Sequence, residues 1–420
     1  MKLKVPRVEP ALLALFGEGF LSRLSFGLVS FALPLYAYHI GMSMAAIGVL
    51  FGINSVAEVS LKPFMSRFAD RFGFKKSLGL AIGARSVLAL LLVFADAPLH
   101  LYALRFFLGV IESLRDPSIN SMLAERGGEE SVASNFSWYW TARYTAGAIG
   151  KMLAGLLLGW SASNYKLIFF CAFVLSVLPF YVVLRYTREE PRSRTPEETA
   201  AASGPNASGG RAAAPRVPVL TFAGFGFLLT STSAMFNSLF PLLATQYAGL
   251  TVAQTGLIFG VSTTLMLIAG PVFGWLSDNV SRKLVLLVRS AGNTISSLVY
   301  LFFPTLAGVA VGKVVDDMGK AAFRPAWGAL MARVSGADRS RRAQTIGTMS
   351  IGENLGETLG PMFGGFLWST YGVAVMLIVR AAVALSAELY AIFLVNPRIT
   401  PAGAVTDSSG AVRPFEEHGS

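Results

Sequence analysis

At 420 residues, 53% hydrophobic and only 14% charged, with a mean hydropathy of +0.57, the chain is too apolar for a soluble globular domain, where about 25% of residues are charged. Its single cysteine, Cys171, excludes a disulfide framework and a cysteine-rich metal site. The net charge of +11 would suit nucleic acid or anionic lipid, so its meaning depends on where the charge sits.

Residues 1–7 precede an apolar run in the manner of a signal peptide, but no small-residue cleavage site ends that run, so it reads as the first helix. Twelve apolar segments follow one another at 11–38, 44–66, 77–95, 99–124, 136–160, 166–185, 219–245, 253–276, 284–303, 305–331, 346–369 and 372–395. A hydrocarbon core about 30 Å thick takes about 20 residues of helix, which each segment supplies. Between the sixth and seventh, residues 185–218 are rich in Ala, Pro, Ser, Gly and Arg without apolar periodicity, and read as a tether. The expected division is an N-terminal half at 1–184, a linker at 185–218, a C-terminal half at 219–395 and a tail at 396–420.

The even loops carry Arg67, Arg71, Lys75, Lys76, Arg126, Arg282 and Lys283, while the odd loops, around Gly41, Ala97, Ser163, Ala248, Pro304 and Tyr371, carry no Lys or Arg. By the positive-inside rule, both termini and the even loops lie in the cytoplasm. The basic balance is therefore topological, with a lipid bilayer rather than nucleic acid as partner.

The loop after segment 2 reads R-F-A-D-R-F-G-F-K-K over 67–76, and the loop after segment 8 reads G-W-L-S-D-N-V-S-R-K over 274–283. Asp70 and Asp278 stand 208 residues apart (278 − 70). The same offset aligns Arg105 with Lys313 and Pro117 with Pro325, and Gly150 meets Gly360 at 210. Such register is an internal repeat: an all-α integral membrane protein of twelve transmembrane helices in two pseudo-symmetric six-helix bundles.

These features resemble the major facilitator superfamily of secondary transporters. Asp70, Arg71, Gly73, Lys75 and Lys76 match its loop motif, with Ser66 where a glycine usually opens it. Gly274, Asp278, Arg282 and Lys283 match the second copy, with Asn279 and Ser281 as departures. The resemblance implies a latch, in which the loop aspartate meets a helix end and a basic partner of the other half. It also implies that helices 1, 4, 7 and 10 line a central cavity. Arg105-x-x-x-Gly109 resembles the family's arginine motif associated with proton coupling. Gly356-x-x-x-Gly360-Pro361-x-x-Gly364-Gly365 resembles its antiporter glycine motif, which normally belongs to helix 5. There the chain has Gly147-x-x-Gly150-Lys151-x-x-x-Gly155, with lysine in place of proline.

Charges at membrane depth cost about 2.5–3.5 kcal/mol each on insertion scales, so those present face the protein interior. They are Glu18 and Arg23 in segment 1; Glu58 and Lys62 in segment 2; Arg105, Glu112, Arg115 and Asp116 in segment 4; Arg143 and Lys151 in segment 5; Lys313, Asp316, Asp317, Lys320 and Arg324 in segment 10; Glu353 and Glu357 in segment 11; Arg380 and Glu388 in segment 12. Spacing of four predicts ion pairs for Glu58 with Lys62, Lys313 with Asp317 and Asp316 with Lys320. The cationic face of Arg143 and Lys151 and the anionic face of Glu353 and Glu357 invite a network between halves. A proton carrier needs a buried carboxyl beside a cation; Glu18 and Glu112 fit, with Arg23, Arg105 or Arg115 as the cation. Arg115, Arg324, Lys320 and Lys151 suit an anionic substrate equally. Segments 1, 4 and 10 carry six basic and five acidic residues, which leaves substrate charge open. Lys151 is expected to face a carboxylate or an anionic substrate.

No phosphate-binding loop, His-Glu-x-x-His or Cys-x-x-Cys motif occurs, and His39, His100 and His418 are far apart in sequence, so no enzyme, cofactor or resident metal is expected. The reading is secondary transport of a small molecule or ion by alternating access, as proton-coupled export from the inner membrane of a bacterium by a monomer. Uptake or facilitated transport of a small anion or metal ion stays open, as does a non-transporting sensor or scaffold.

Overall fold

The computed structural model describes residues 10–125, 128–186, 219–279, 282–336 and 342–394. The expected linker, beyond residue 186, and the tail lie outside the described residues. The first half holds α1 (Pro10–His39), α2 (Met44–Phe72), α3 (Phe74–Leu92), α4 (Pro98–Glu125), α5 (Gly128–Trp160) and α6 (Tyr165–Tyr186). The second holds α7 (Val219–Asn237), α8 (Val252–Asn279), α9 (Arg282–Phe302), α10 (Leu306–Gly336), α11 (Arg342–Tyr371) and α12 (Val373–Leu394).

The apolar segments set the helices, and local chemistry sets their ends. Ser43 caps α2 by accepting from the Ala46 amide at 3.2 Å, and Asn164 caps α6 through the Leu167 amide at 3.1 Å. Thr251 and Gln254 form a reciprocal capping box at the start of α8. Two boundaries differ from the sequence expectation. Segment 7 is not continuous to 245: α7 stops at Asn237, and the chain resumes as a short turn Phe240–Leu242 and a π-helical turn Leu243–Tyr247. Pro241 has no amide proton to give to residue 237, so the ladder breaks there. The loop between α2 and α3 is far shorter than the motif drawn on it, because Arg67 to Phe72 complete α2 and only Gly73, at φ +98°, stands between the helices. A side chain there is strained, which accounts for glycine.

The packing repeats with a period of six helices. α1 packs on α5 and α6, α2 on α4, and α3 on α4 and α6; correspondingly α7 packs on α11 and α12, α8 on α10, and α9 on α10 and α12. The halves meet through two further pairs, α2 with α11 and α5 with α8. These are the two pseudo-symmetric six-helix bundles, and together they form a twelve-helix membrane protein. By length and composition alone six helices qualify as spans among the described residues: α1, α2, α6, α7, α8 and α12. The other helices carry most of the buried charge and owe their place to partners within the bundle.

The two ends of the molecule differ. Toward the odd loops, here the neutral face, one hydrophobic core runs through both halves, including Phe31, Leu50, Phe169, Phe240, Phe259, Tyr300 and Leu367. Toward the even loops, the basic face, each half has its own core, around Leu15, Ile82 and Tyr139 in one and Phe225, Trp327 and Met349 in the other. Glycines report the same geometry. Gly155 of α5 abuts Gly256 of α8, and Gly48 of α2 abuts Gly365 of α11, all near the neutral face. Nearer the basic face, Gly270 and Gly274 of α8 and Gly347 of α11 have nothing within 4 Å of a Cβ position. Among the described residues the halves are thus joined at the neutral face, and these three glycines have open space beside them toward the basic one.

Candidate functional site

In the first half the intramembrane charges converge on Glu18. Arg115 of α4 donates to it through Nη2 at 2.7 and 2.9 Å and through Nε at 3.2 Å. Its Nη1 donates to Asp116 Oδ1 at 3.2 Å. The hydroxyl of Tyr139 on α5 accepts from Arg115 and from Arg143, both at 3.0 Å. Arg143 also reaches Asp116 at 3.9 Å. One bidentate fork and one phenol therefore tie α1, α4 and α5 together. Glu112, one turn before Asp116, accepts from Asn54 Nδ2 of α2 at 3.1 Å.

The second half has a counterpart built from other residue types. Arg380 of α12, fully buried, donates to Asp316 of α10 at 2.6 Å. Its remaining donors go to the carbonyl of Thr232 and to Asn293, Ser296 and Ser297, so the guanidinium is saturated. Lys320 bridges Asp316 at 2.6 Å and Asp317 at 2.9 Å, and also donates to Asn237. Lys313 pairs with Asp317 at 2.5 Å. The three pairs expected from spacing are present, that of Glu58 with Lys62 as a looser contact of 3.9 Å.

A layer of cations on aromatic rings lies between these networks and the closed neutral face. Arg105 stands over Phe51 at 4.6 Å, and Lys313 stands over Phe259 at 5.1 Å. Both partners are related by the 208-residue repeat, so each half sets a cation of its fourth helix on a phenylalanine of its second. The copies differ in compensation. Lys313 has Asp317 four residues on, whereas the corresponding position after Arg105 is Gly109, and Arg105 Nε and Nη1 have no hydrogen-bond partner among the described residues. Lys151 of α5 also lies over Phe259, at 4.6 Å, so two ammoniums from opposite halves share one ring.

Several expectations change in this geometry. Of the two partners expected for Lys151, no carboxylate lies within ion-pair distance among the described residues; a ring of α8 lies there instead, because α5 docks on α8. The helices α5 and α11 do not pack on each other, since α5 meets α8 while α11 meets α2. Pseudo-symmetry puts the two seams on opposite sides of the molecule. Arg143 is engaged within its own half, and Glu353 packs beside Gly226 of α7. The glycine rows serve mainly within halves: Gly147 and Gly150 lie against Gly27 of α1, and Gly356, Gly360 and Gly364 against α7. Only Gly155 and Gly365 reach the other half. Asp70 and Arg71 are exposed in the last turn of α2, with Lys75 and Lys76 in the first turn of α3, on the basic face. The side chains of Asp278, Arg282, Lys283 and Arg324 lie outside the described residues.

Two buried arginines escaped the sequence reading. Arg85 of α3 donates to the Ser22 carbonyl at 3.1 Å, and Arg289 of α9 to the Asp316 carbonyl at 3.3 Å. Both interrupt apolar segments, the same signal that exposed the others. Tyr139 and Asn293 carried no such mark, since hydroxyl and amide groups are ordinary in a helix until a buried charge turns to them. At the neutral face Lys166 opens α6, so that face is not free of lysine. It pairs with Asp96 at 2.8 Å, which holds that carboxyl below its usual range and cancels the positive charge.

Compared with known proteins, the chain matches the family model for the Major Facilitator Superfamily over residues 15–234 and again over 222–417. Multidrug resistance protein MdtG of Serratia proteamaculans (strain 568) is 30% identical over 178 residues, covering 40% of this chain and 42% of the relative. MdtG of Klebsiella pneumoniae (strain 342) is 28% identical over 198 residues, covering 43% and 45%. The chain thus spans less than half the length of the curated relatives it matches. Among solved structures, the nucleoside transporter NupG superposes with a TM-score of 0.69 at 14% identity, over 91% of this chain and 97% of that one. A bacterial homologue of the human lysosomal transporter Spinster, inward-facing and occupied, gives 0.68 at 16% identity, over 91% and 94%. At such identities the likeness is one of fold.

Proposed function

This chain belongs to the major facilitator superfamily, and on that premise we propose that it exports a small organic solute across a bacterial inner membrane, driven by protons. The basic face is the cytoplasmic one, with both termini on that side, so the described conformation is open to the cytoplasm and closed outside. The observation that carries the reading is the Glu18–Arg115 pair, buried in the membrane and placed on α1 and α4. Arg115 stabilises the charged carboxylate. A conformation that draws the guanidinium away leaves a lone buried charge, which takes up a proton instead. Glu112, held by an amide rather than a cation, is the second station. Similarity to proteins named for multidrug resistance supports export over uptake.

Rocking of the halves about the site exchanges the closed face for the open one. In the alternate state Asp70 and the basic residues around Gly73 latch the cytoplasmic side. Proteoliposomes with an imposed pH gradient test the proposal: flux of a solute that follows the gradient and collapses with a protonophore supports it. Flux that ignores the gradient removes the proton, and absence of flux for every solute class removes transport.

A further inference from the structure

We infer that the transported solute is an organic anion with a compact charged head, received between the halves by Arg23 and Lys151. The inference rests on the transport reading and adds the substrate class to it. Counted from sequence, acids and bases in helices 1, 4 and 10 nearly balance. Counted from contacts, they do not, because most of the carboxylates are already taken. Glu18 is held by Arg115, Asp116 by Arg115 and Arg143, Asp316 by Arg380 and Lys320, and Asp317 by Lys313 and Lys320.

Arg23, Arg105 and Lys151 have no ion pair among the described residues; Arg23 lies over Phe26 at 4.5 Å, Arg105 over Phe51 at 4.6 Å and Lys151 over Phe259 at 4.6 Å. Of the three, Arg23 and Lys151 stand together. A ring face attracts a cation but supplies no countercharge. The two are neighbours: a Cβ on Gly147 would sit 3.3 Å from Arg23 Cγ, and Gly147 is one helical turn before Lys151 on α5. Lys313, Arg23 and Lys320 act on Lys151 as like charges, and Asp317 as an opposite one. Glu112 acts on Arg23 from α4. Lys151 and Lys313, sharing the Phe259 ring from opposite halves, lie within about 10 Å of each other, in a setting that screens charge poorly.

A cationic solute entering here meets repulsion from both halves. An anion relieves that repulsion, bonding to Arg23 and Lys151 of the first half while Lys313 of the second attracts it from the same Phe259 ring, so its binding favours a state in which the halves are drawn together around it. Arginine and lysine supply a planar fork and a point charge, which suit carboxylate, phosphonate or sulfonate heads.

The test uses the full chain and three ring-matched probes: benzenesulfonate and phenylphosphonate as anions, phenyltrimethylammonium as cation. Thermal unfolding in detergent reads binding, and flux into proteoliposomes under a pH gradient reads transport. The expected result is a saturable rise in melting temperature with at least one anion and none with the cation. Lys151→Met should weaken that apparent affinity at least tenfold, and Lys151→Arg should recover part of it. Melting without probe controls for folding, and Arg23→Gln takes the place of Lys151→Met if the latter does not fold. Stabilisation by the cation alone, by neither anion, or by an anion equally in Lys151→Met overturns the anion site. Driven flux of the cation keeps the transporter and removes the anion. Saturable anion binding without flux keeps the site and removes the transporter.

Discussion

Arg115 grips both carboxylate oxygens of Glu18, with side-chain exposures of 2% and 0%, and so fastens α4 to α1 across 97 residues of sequence. The link is a strut within the first half in the described conformation and, by the proposal above, the proton switch between two. Glu18→Gln keeps an acceptor for Arg115 but removes the charge. It should abolish gradient-driven transport while sparing solute exchange, which needs no net proton movement. Counterflow and driven uptake in the same vesicles measure this; equal driven transport in variant and parent takes Glu18 out of the mechanism.

Arg380 should behave as a structural residue. Removing one partner of a buried pair costs about 3–5 kcal/mol, and Arg380→Ala also leaves Thr232, Asn293 and two serines without their donor. A drop of that size in a melting experiment is expected. Lys62→Ala, which breaks a half-exposed pair at 3.9 Å, should cost at most about 1 kcal/mol. A small loss in Arg380→Ala would show that Lys320 alone satisfies Asp316.

The seam between α5 and α8 should set the conformational balance. A side chain at Gly155 meets the Gly256 backbone at 2.6 Å, so Gly155→Val must push the helices apart at the neutral face. Overpacking of this kind costs about 1–3 kcal/mol. The expected readout is greater reactivity of cysteines placed beside Phe259 toward an impermeant thiol reagent added from outside. Gly270→Ala, with nothing within 4 Å, should leave that reactivity unchanged.

Asp70→Asn tests the latch. If Asp70 stabilises closure of the basic face by about 1 kcal/mol, its neutralisation should shift the two-state population several-fold toward the open basic face described above. Spin-label distances between the basic-face ends of α2 and α8 would lengthen on average. An unchanged distribution leaves Asp70 and its basic neighbours with topology alone.

The membrane class, the helical segments, the face that carries the basic loops, the repeat, and the ion pairs spaced by four were legible in the chain alone. All of these are local or periodic properties: hydropathy over one span, charge in one loop, or a 3.6-residue turn that brings Lys313 to Asp317 whatever surrounds them. Tertiary structure decided which charges are spoken for. Glu18 with Arg115 and Asp316 with Arg380 are joined only because helices far apart in sequence pack side by side. Lys151 was visible as an anomaly, but its companion Phe259 was not, since an apolar residue in an apolar helix carries no mark until a cation from the opposite half is laid on its ring. Which face is closed was likewise beyond the sequence, because the same two bundles can rock to either side, and only the docked geometry selects one.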